Sequence, residues 1–476
     1  MSKIFSALFS ALMLLLLFHP LALNAQELSA AAAGAAAGAP AVRQISVAEY
    51  RSLALSNNLS VRSAQFDLEK SKHLRSYAFS QFFPQVKAVG GLLKPGLFGG
   101  GRLSMDADID MTRIFRNSTD ASLTLDSTFD FTDSMWGMFG ALTITQPLFA
   151  GGRIINSYRL AGKGVDASAY QLQMARNEVY DEAESKYYQL VLLSQLIETL
   201  DLYSDTLDVL NNQVSQALSR GVVSRSDSLR VRLKREEVAI QKEQAKAMFV
   251  IAERDFKLFA GIRSGDVLEL SAGFDAVVEP DFDPASFPSH LAERPEYRLL
   301  SLQHDAARLQ ELVTAGSYLP SVEIGAYVAG LDFRLDGKTL RDFHASYNDV
   351  SGFILLNIPI SDWWGGYHKI KEASFSRQSA AAQLETNSNY LLLDIENKYV
   401  SFQTAFRQVK LAEIGLEYAE QNRSEYYDRY SAGISVLGDY LEALALEHEN
   451  RTKLNQSKAD YFSARNAFLS SLGAPH

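Results

Sequence analysis

The 476-residue sequence predicts an α+β membrane protein in which each chain supplies four membrane-length β-strands and several very long α-helices. Three observations carry this. Motifs recur at a fixed offset, short segments alternate apolar and polar residues, and two helical stretches run far past globular length.

The offset defines an internal two-fold repeat. RGVVSRSDSL (220–229) matches AGISVLGDYL (432–441), and Gly221/Gly433, Asp227/Asp439 and Pro147/Pro359 each lie 212 residues apart. Upstream, FFPQV (82–86) matches YLPSV (318–322), with Pro84 and Pro320 separated by 236 residues; the first half therefore holds 24 more residues between its matched prolines. Leu59 precedes Pro84 by 25 residues, as Pro295 precedes Pro320. The expected layout is one repeat over 45–262, an equatorial connector over 263–292 and a second repeat over 293–473.

The elements follow in order. Lys3, the apolar run Ala11–Phe18 and Leu23-Asn24-Ala25 read as a secretory signal peptide, 1–25, with an apolar run short for a span. Residues 26–44 contain ELSAAAAGAAAGAPA and read as a flexible Ala/Gly leader. Strands are expected at 82–92, 139–148, 320–330 and 351–360. Val322, Ile324, Ala326 and Val328 alternate with Ser321, Glu323 and Tyr327, and each run has the ~10 residues that cross a bilayer as a tilted strand. Long helices are expected at 153–219 and 366–430, each followed by a second helix, 225–260 and 436–472. On the first, Leu193, Leu196, Leu200, Tyr203, Leu207, Leu210, Val214 and Ala217 form one seam. Tyr180, Ala183, Tyr187, Leu190, Ser194 and Ile197 form another. The second seam recurs as Leu392, Ile395, Tyr399, Phe402, Phe406 and Val409. Two seams imply a neighbour on each side, as in a ring of staves; a coiled-coil hairpin needs one.

Between strand and helix the chain breaks sharply, at QPLFAGGR (146–153) and again at NIPISDWWGG (357–366). Pro147 and Pro359 lack the N–H a ladder needs, and Gly151, Gly152, Gly365 and Gly366 admit backbone angles other residues avoid. Phe149, Trp363 and Trp364 fall where a membrane–water interface would lie, or where a strand–helix corner packs. Four strands cannot close a barrel, and an open edge in lipid leaves backbone groups unpaired, so chains must associate. Two copies would give eight strands and a filled barrel; three would give twelve and a lumen.

Over 45–473 the chain resembles the TolC-like outer-membrane factor family, most specifically in the paired strand-to-helix junctions and the two Gly-x5-Asp tips. The resemblance implies a homotrimer with a twelve-stranded β-barrel in the outer membrane and an α-helical barrel crossing the periplasm of a Gram-negative cell. It implies the exit duct of a tripartite efflux pump or type I secretion system, working with a periplasmic adaptor and an inner-membrane transporter. By the same match, Asp439 and Glu442 resemble the acidic ring of the periplasmic gate, and Tyr430 the tyrosine that bonds an aspartate on the other helical pair, here Asp227. Ser435 stands where a second tie uses arginine, which leaves Ser226 without that partner. The tips Gly221-Val222-Val223 and Gly433-Ile434-Ser435 resemble the surface that receives the adaptor. Helix capping accounts for part of this pattern independently: Ser224-x-x-Asp227 reads as a capping box.

Other classes find little support. The net charge of −10 has no basic cluster for nucleic acid. The chain has no cysteine, hence no disulfide, thiolate site or cysteine nucleophile. No H-E-x-x-H, P-loop or G-x-S-x-G motif is present, so no enzyme, cofactor or metal is expected. Asp106, Asp108 and Asp110 imitate a calcium loop, but Met111 and Asn117 stand where glycine and the closing acid belong; a hairpin within 94–138 is expected instead. A structural coiled coil without a pore explains the helices but not the four strands.

Overall fold

The computed structural model describes residues 42–93, 102–110, 122–130, 135–271, 273–335 and 343–473. The expected signal peptide and most of the expected leader lie outside them.

The leader ends earlier than expected. Val42–Ile45 forms β1 and pairs in parallel with β6, Val267–Leu270, in the connector. Ile45 is fully buried there, and that burial holds the segment in place.

Each repeat then runs helix, strand, strand, long helix, helix. In the first, α1 (Val47–Asn57) and α2 (Leu59–Ser80) lead to β2 (Gln85–Leu93) and β5 (Met135–Ala150). Between them β3 (Arg102–Asp110) pairs antiparallel with β4 (Ser122–Asp130), placing Asp106 opposite Asp126. The long α3 (Arg153–Ser219) has 67 residues, roughly 100 Å at 1.5 Å per residue, and α4 (Arg225–Phe259) returns along it. In the second repeat, the short α5 (Phe287–Leu291) and α6 (Pro295–Gly316) precede β7 (Ser321–Leu335), β8 (Phe343–Asn357), α7 (Trp363–Ser431) and α8 (Leu437–Ser471).

Strands β2, β5, β7 and β8 form one antiparallel sheet in that order, with β2 and β8 as its edges. Its register sorts the side chains by parity. Val86, Leu142, Ile144, Ile324, Val350, Ile354 and Leu356 share one face, and each is at least two-fifths exposed. Lys87, Thr143, Thr145, Glu323, Tyr327, Asp349 and Ser351 share the other. There the Tyr327 hydroxyl donates to Asp349 at 2.8 Å. An exposed apolar face opposite a polar one is the pattern of a barrel wall between lipid and lumen. Among the described residues no helix is long and apolar enough to cross a membrane.

Most of both seams of α3 is buried or half-buried, Ser194 being exposed. Leu200, Tyr203, Leu207, Leu210 and Val214 pack with α4 and α8 toward the tip. Ala183, Tyr187 and Leu190 join Ile395, Tyr399, Phe402 and Val409 in an equatorial core, where Phe406 packs against them. Tyrosines clasp the connector to that core. The Tyr461 hydroxyl donates to the Val278 carbonyl at 2.7 Å and accepts from the Val278 amide at 2.9 Å; Tyr399 donates to the Phe282 carbonyl at 3.1 Å, and Tyr188 to Asp275 at 3.0 Å. Tyr50 stacks on Phe256 at 3.6 Å and donates to its carbonyl.

Candidate functional site

The two hairpin tips form the end of the molecule farthest from the sheet. Each turns on a glycine in the left-handed region, Gly221 at φ 72° and Gly433 at φ 75°. The closing bonds correspond: Val222 N–H to the Ala217 carbonyl, and Ile434 N–H to the Arg429 carbonyl. Val222 and Ile434 are three-quarters exposed, so each tip presents an aliphatic side chain to solvent.

The starts of α4 and α8 differ. Ser224 caps α4 by accepting from the Asp227 amide at 3.1 Å, and its hydroxyl donates to the Asp227 carboxylate at 2.6 Å. At the equivalent position α8 has Val436, with no side-chain cap. Ser435, one residue earlier, donates instead to the Asp439 carboxylate at 3.0 Å. The serine that stands where the resemblance expects an arginine thus engages the acid expected at the gate. Asp439 and Glu442 are exposed and one turn apart on α8.

Tyr430 is brought to the other helical pair without a direct bond. Burial pushes its hydroxyl pKa up and the nearby Asp227 carboxylate pushes it further, yet no hydrogen bond joins the two; Ser224 donates to that carboxylate instead. Its ring lies parallel to Tyr440 at 5.9 Å. Ser226 is exposed. A contact that no sequence spacing signals is Arg230 on α4, whose guanidinium lies 2.9 Å from where a Cβ on Gly438 would stand. A glycine in the first turn of α8 leaves room for that arm.

The junctions depart from expectation in two ways. Pro147 does not end the ladder: β5 continues to Ala150, with a register shift between Pro147 and Phe149. The bulge accommodates a residue without an N–H, and the Gln146 amide donates to the Phe82 and Pro147 carbonyls at 2.9 and 3.0 Å. Gly151 (φ 59°) and Gly152 (φ 78°) then turn the chain into α3. In the second copy β8 stops at Asn357, two residues before Pro359. Gly365 and Gly366 lie inside α7 with no left-handed backbone. Gly366 is needed for space instead, since a Cβ there would come within 2.7 Å of the Tyr318 ring. Phe149 is 51% and Trp364 86% exposed, so neither ring is used up by packing within the chain. Trp363 opens α7; its side chain lies outside what is described. Sequence reading missed the adjoining aromatic cluster of Phe79, Phe82, Phe83 and Tyr158.

Among the described residues no three His, Asp or Glu side chains converge to hold a metal.

A family model, outer membrane efflux protein, matches residues 50–261 and 288–474. The chain belongs to the outer membrane efflux protein family. Toxin and drug export protein A of Aggregatibacter actinomycetemcomitans is 20% identical over 339 residues, 70% of this chain and 72% of that one. The fold matches the transmembrane channel CusC with a TM-score of 0.72 at 14% identity, covering 90% of this chain and 92% of CusC. It matches the Campylobacter jejuni outer membrane channel CmeC with a TM-score of 0.69 at 18% identity, covering 90% and 85%. This outer membrane efflux protein is therefore an outer-membrane channel that extends into the periplasm; its sheet supplies the barrel wall and its long helices the periplasmic duct.

Proposed function

We propose that three copies of this chain pool their sheets into one twelve-stranded barrel and their helices into one periplasmic tube. The tube is held narrow at Asp439 and Glu442. The observation that carries this is the four-stranded sheet with two unpaired edges, apolar on one face and polar on the other. In hydrocarbon each unpaired edge group costs several kcal/mol, so edges must meet edges of other copies.

The duct conducts passively what an inner-membrane transporter delivers through an adaptor seated on the tips. Exposed Val222 and Ile434 beside the left-handed glycines suit an apolar helical hairpin. Its cargo is a drug or a toxin, in keeping with the name of the export protein it resembles. Six carboxylates around one axis concentrate negative charge and attract cations. Asp439→Asn with Glu442→Gln is therefore expected to weaken block of planar-bilayer conductance by di- and trivalent cations. Unchanged block would refute the acidic gate.

A further inference from the structure

The seam between the two helical pairs contains a polar pocket that neither the tips nor the gate acids use. It lies between α3 and α8, nine residues along α8 from Asp439, or ~13 Å. There the ring of His448 lies on Tyr203, with centroids 4.7 Å apart and planes 23° apart. Tyr203 is 95% buried by its 5% exposure. A cavity of about 240 Å³ adjoins the pair, bounded also by Thr199, Thr206 and Leu444.

Three polar atoms here are sealed and have no hydrogen-bond partner: the Tyr203 hydroxyl, His448 Nδ1 and the Thr452 hydroxyl. Each costs free energy that hydration would recover, so the closed seam is poised against a parted, wetter one. The charges around the Tyr203–His448 pair come from three helices. From α4 come Lys234 and Glu237, bonded to each other at 3.1 Å. From α7 come Arg423 and Glu420, and from α8 Glu447 and Arg451. Arg451 donates to Glu420 at 2.7 Å and to Glu447 at 2.8 Å, and Arg423 also pairs with Glu447. Every facing acid is therefore already engaged by a cation, and an imidazolium would find no free counter-charge.

We propose that the Tyr203–His448 stack is a pH-operated latch: protonating His448 parts the α3–α8 seam and widens the periplasmic end of the duct. Burial holds the imidazole pKa below its ordinary value, and Lys234 and Arg451 hold it lower still against an opposing pull from Glu447. A base depressed in the closed state stabilises that state fully above its ordinary pKa, about 6.5. That contribution is lost as pH falls below 6.5 toward the depressed value. Within this window each pH unit shifts the closed-to-parted ratio by up to about tenfold per copy.

The widening rests on the duct reading, but the latch can be read separately. Hydrogen exchange of peptides covering 199–206 and 444–452 is measured on the full protein in detergent, wild type against His448→Gln and His448→Phe, each pair at one pH so that intrinsic rates cancel. The Phe variant keeps the stack and the Gln variant keeps polarity; neither can be protonated. The wild-type-to-variant ratio is expected to rise about tenfold from pH 7.5 to pH 5.5, with bilayer conductance rising in the wild type alone. A flat ratio, or variants that keep the pH response, overturns the latch even where the channel conducts normally. A rising ratio without a rise in conductance sustains the latch and overturns its coupling to the width of the duct.

Discussion

At Gly151 an added Cβ would fall 2.3 Å from the Gly316 carbonyl oxygen, and the backbone already sits at φ 59°. Gly151→Ala meets the left-handed strain of about 1–2 kcal/mol and the collision together. Gly140, with nothing within 4 Å of an added Cβ, is the matched control. Gly151→Ala is expected to lower the temperature at which the detergent-purified assembly falls apart, and Gly140→Ala to leave it nearly unchanged. A second residue-scale prediction concerns Glu184, buried and ion-paired to Arg51, whose guanidinium also lies over the Tyr180 ring at 4.4 Å. Burial pushes the Glu184 carboxyl pKa up against the pull of Arg51. Arg51→Leu strands that carboxylate and should cost about 3–5 kcal/mol in chemical unfolding. Adding Glu184→Leu should restore most of it. The tip glycines and the Asp227/Asp439 pair were legible because the repeat displays each twice at one offset. The Arg51–Glu184 pair, 133 residues apart, and the Tyr203–His448 stack left no such trace, since no local period connects them.

Elements tell a similar story at longer range. The limits of α3 and the burial along most of its two seams follow from apolar spacing, because a helix that long can be held only by neighbours along its length. Strand ends were less legible. β5 passes through Pro147 by a bulge, and β8 stops before Pro359, because pairing depends on what the neighbouring strand offers and a proline's sequence position does not reveal it. The parallel β1–β6 pair was hidden for the same reason. The asymmetric caps yield a prediction at this scale. Ser224 caps α4, whereas Val436, 67% exposed, leaves α8 uncapped. Val436→Ser should stabilise the first turn of α8 by about 0.5–1 kcal/mol. Slower amide exchange in that turn is the expected readout, with Ser224→Ala speeding exchange at the start of α4.

For the whole molecule, one chain is an incomplete object. Its sheet has unpaired edges at β2 and β8, and its apolar face finds no cover within the chain. Strand count, edge pairing and family membership all point to closure by association, and the helices inherit whatever symmetry the barrel imposes. The most direct test of this account is the mass of the mature protein extracted from the outer-membrane fraction in mild detergent. An assembly of three chains that survives dilution is the predicted result. A single chain that stays folded and dissolved in water without detergent would contradict it.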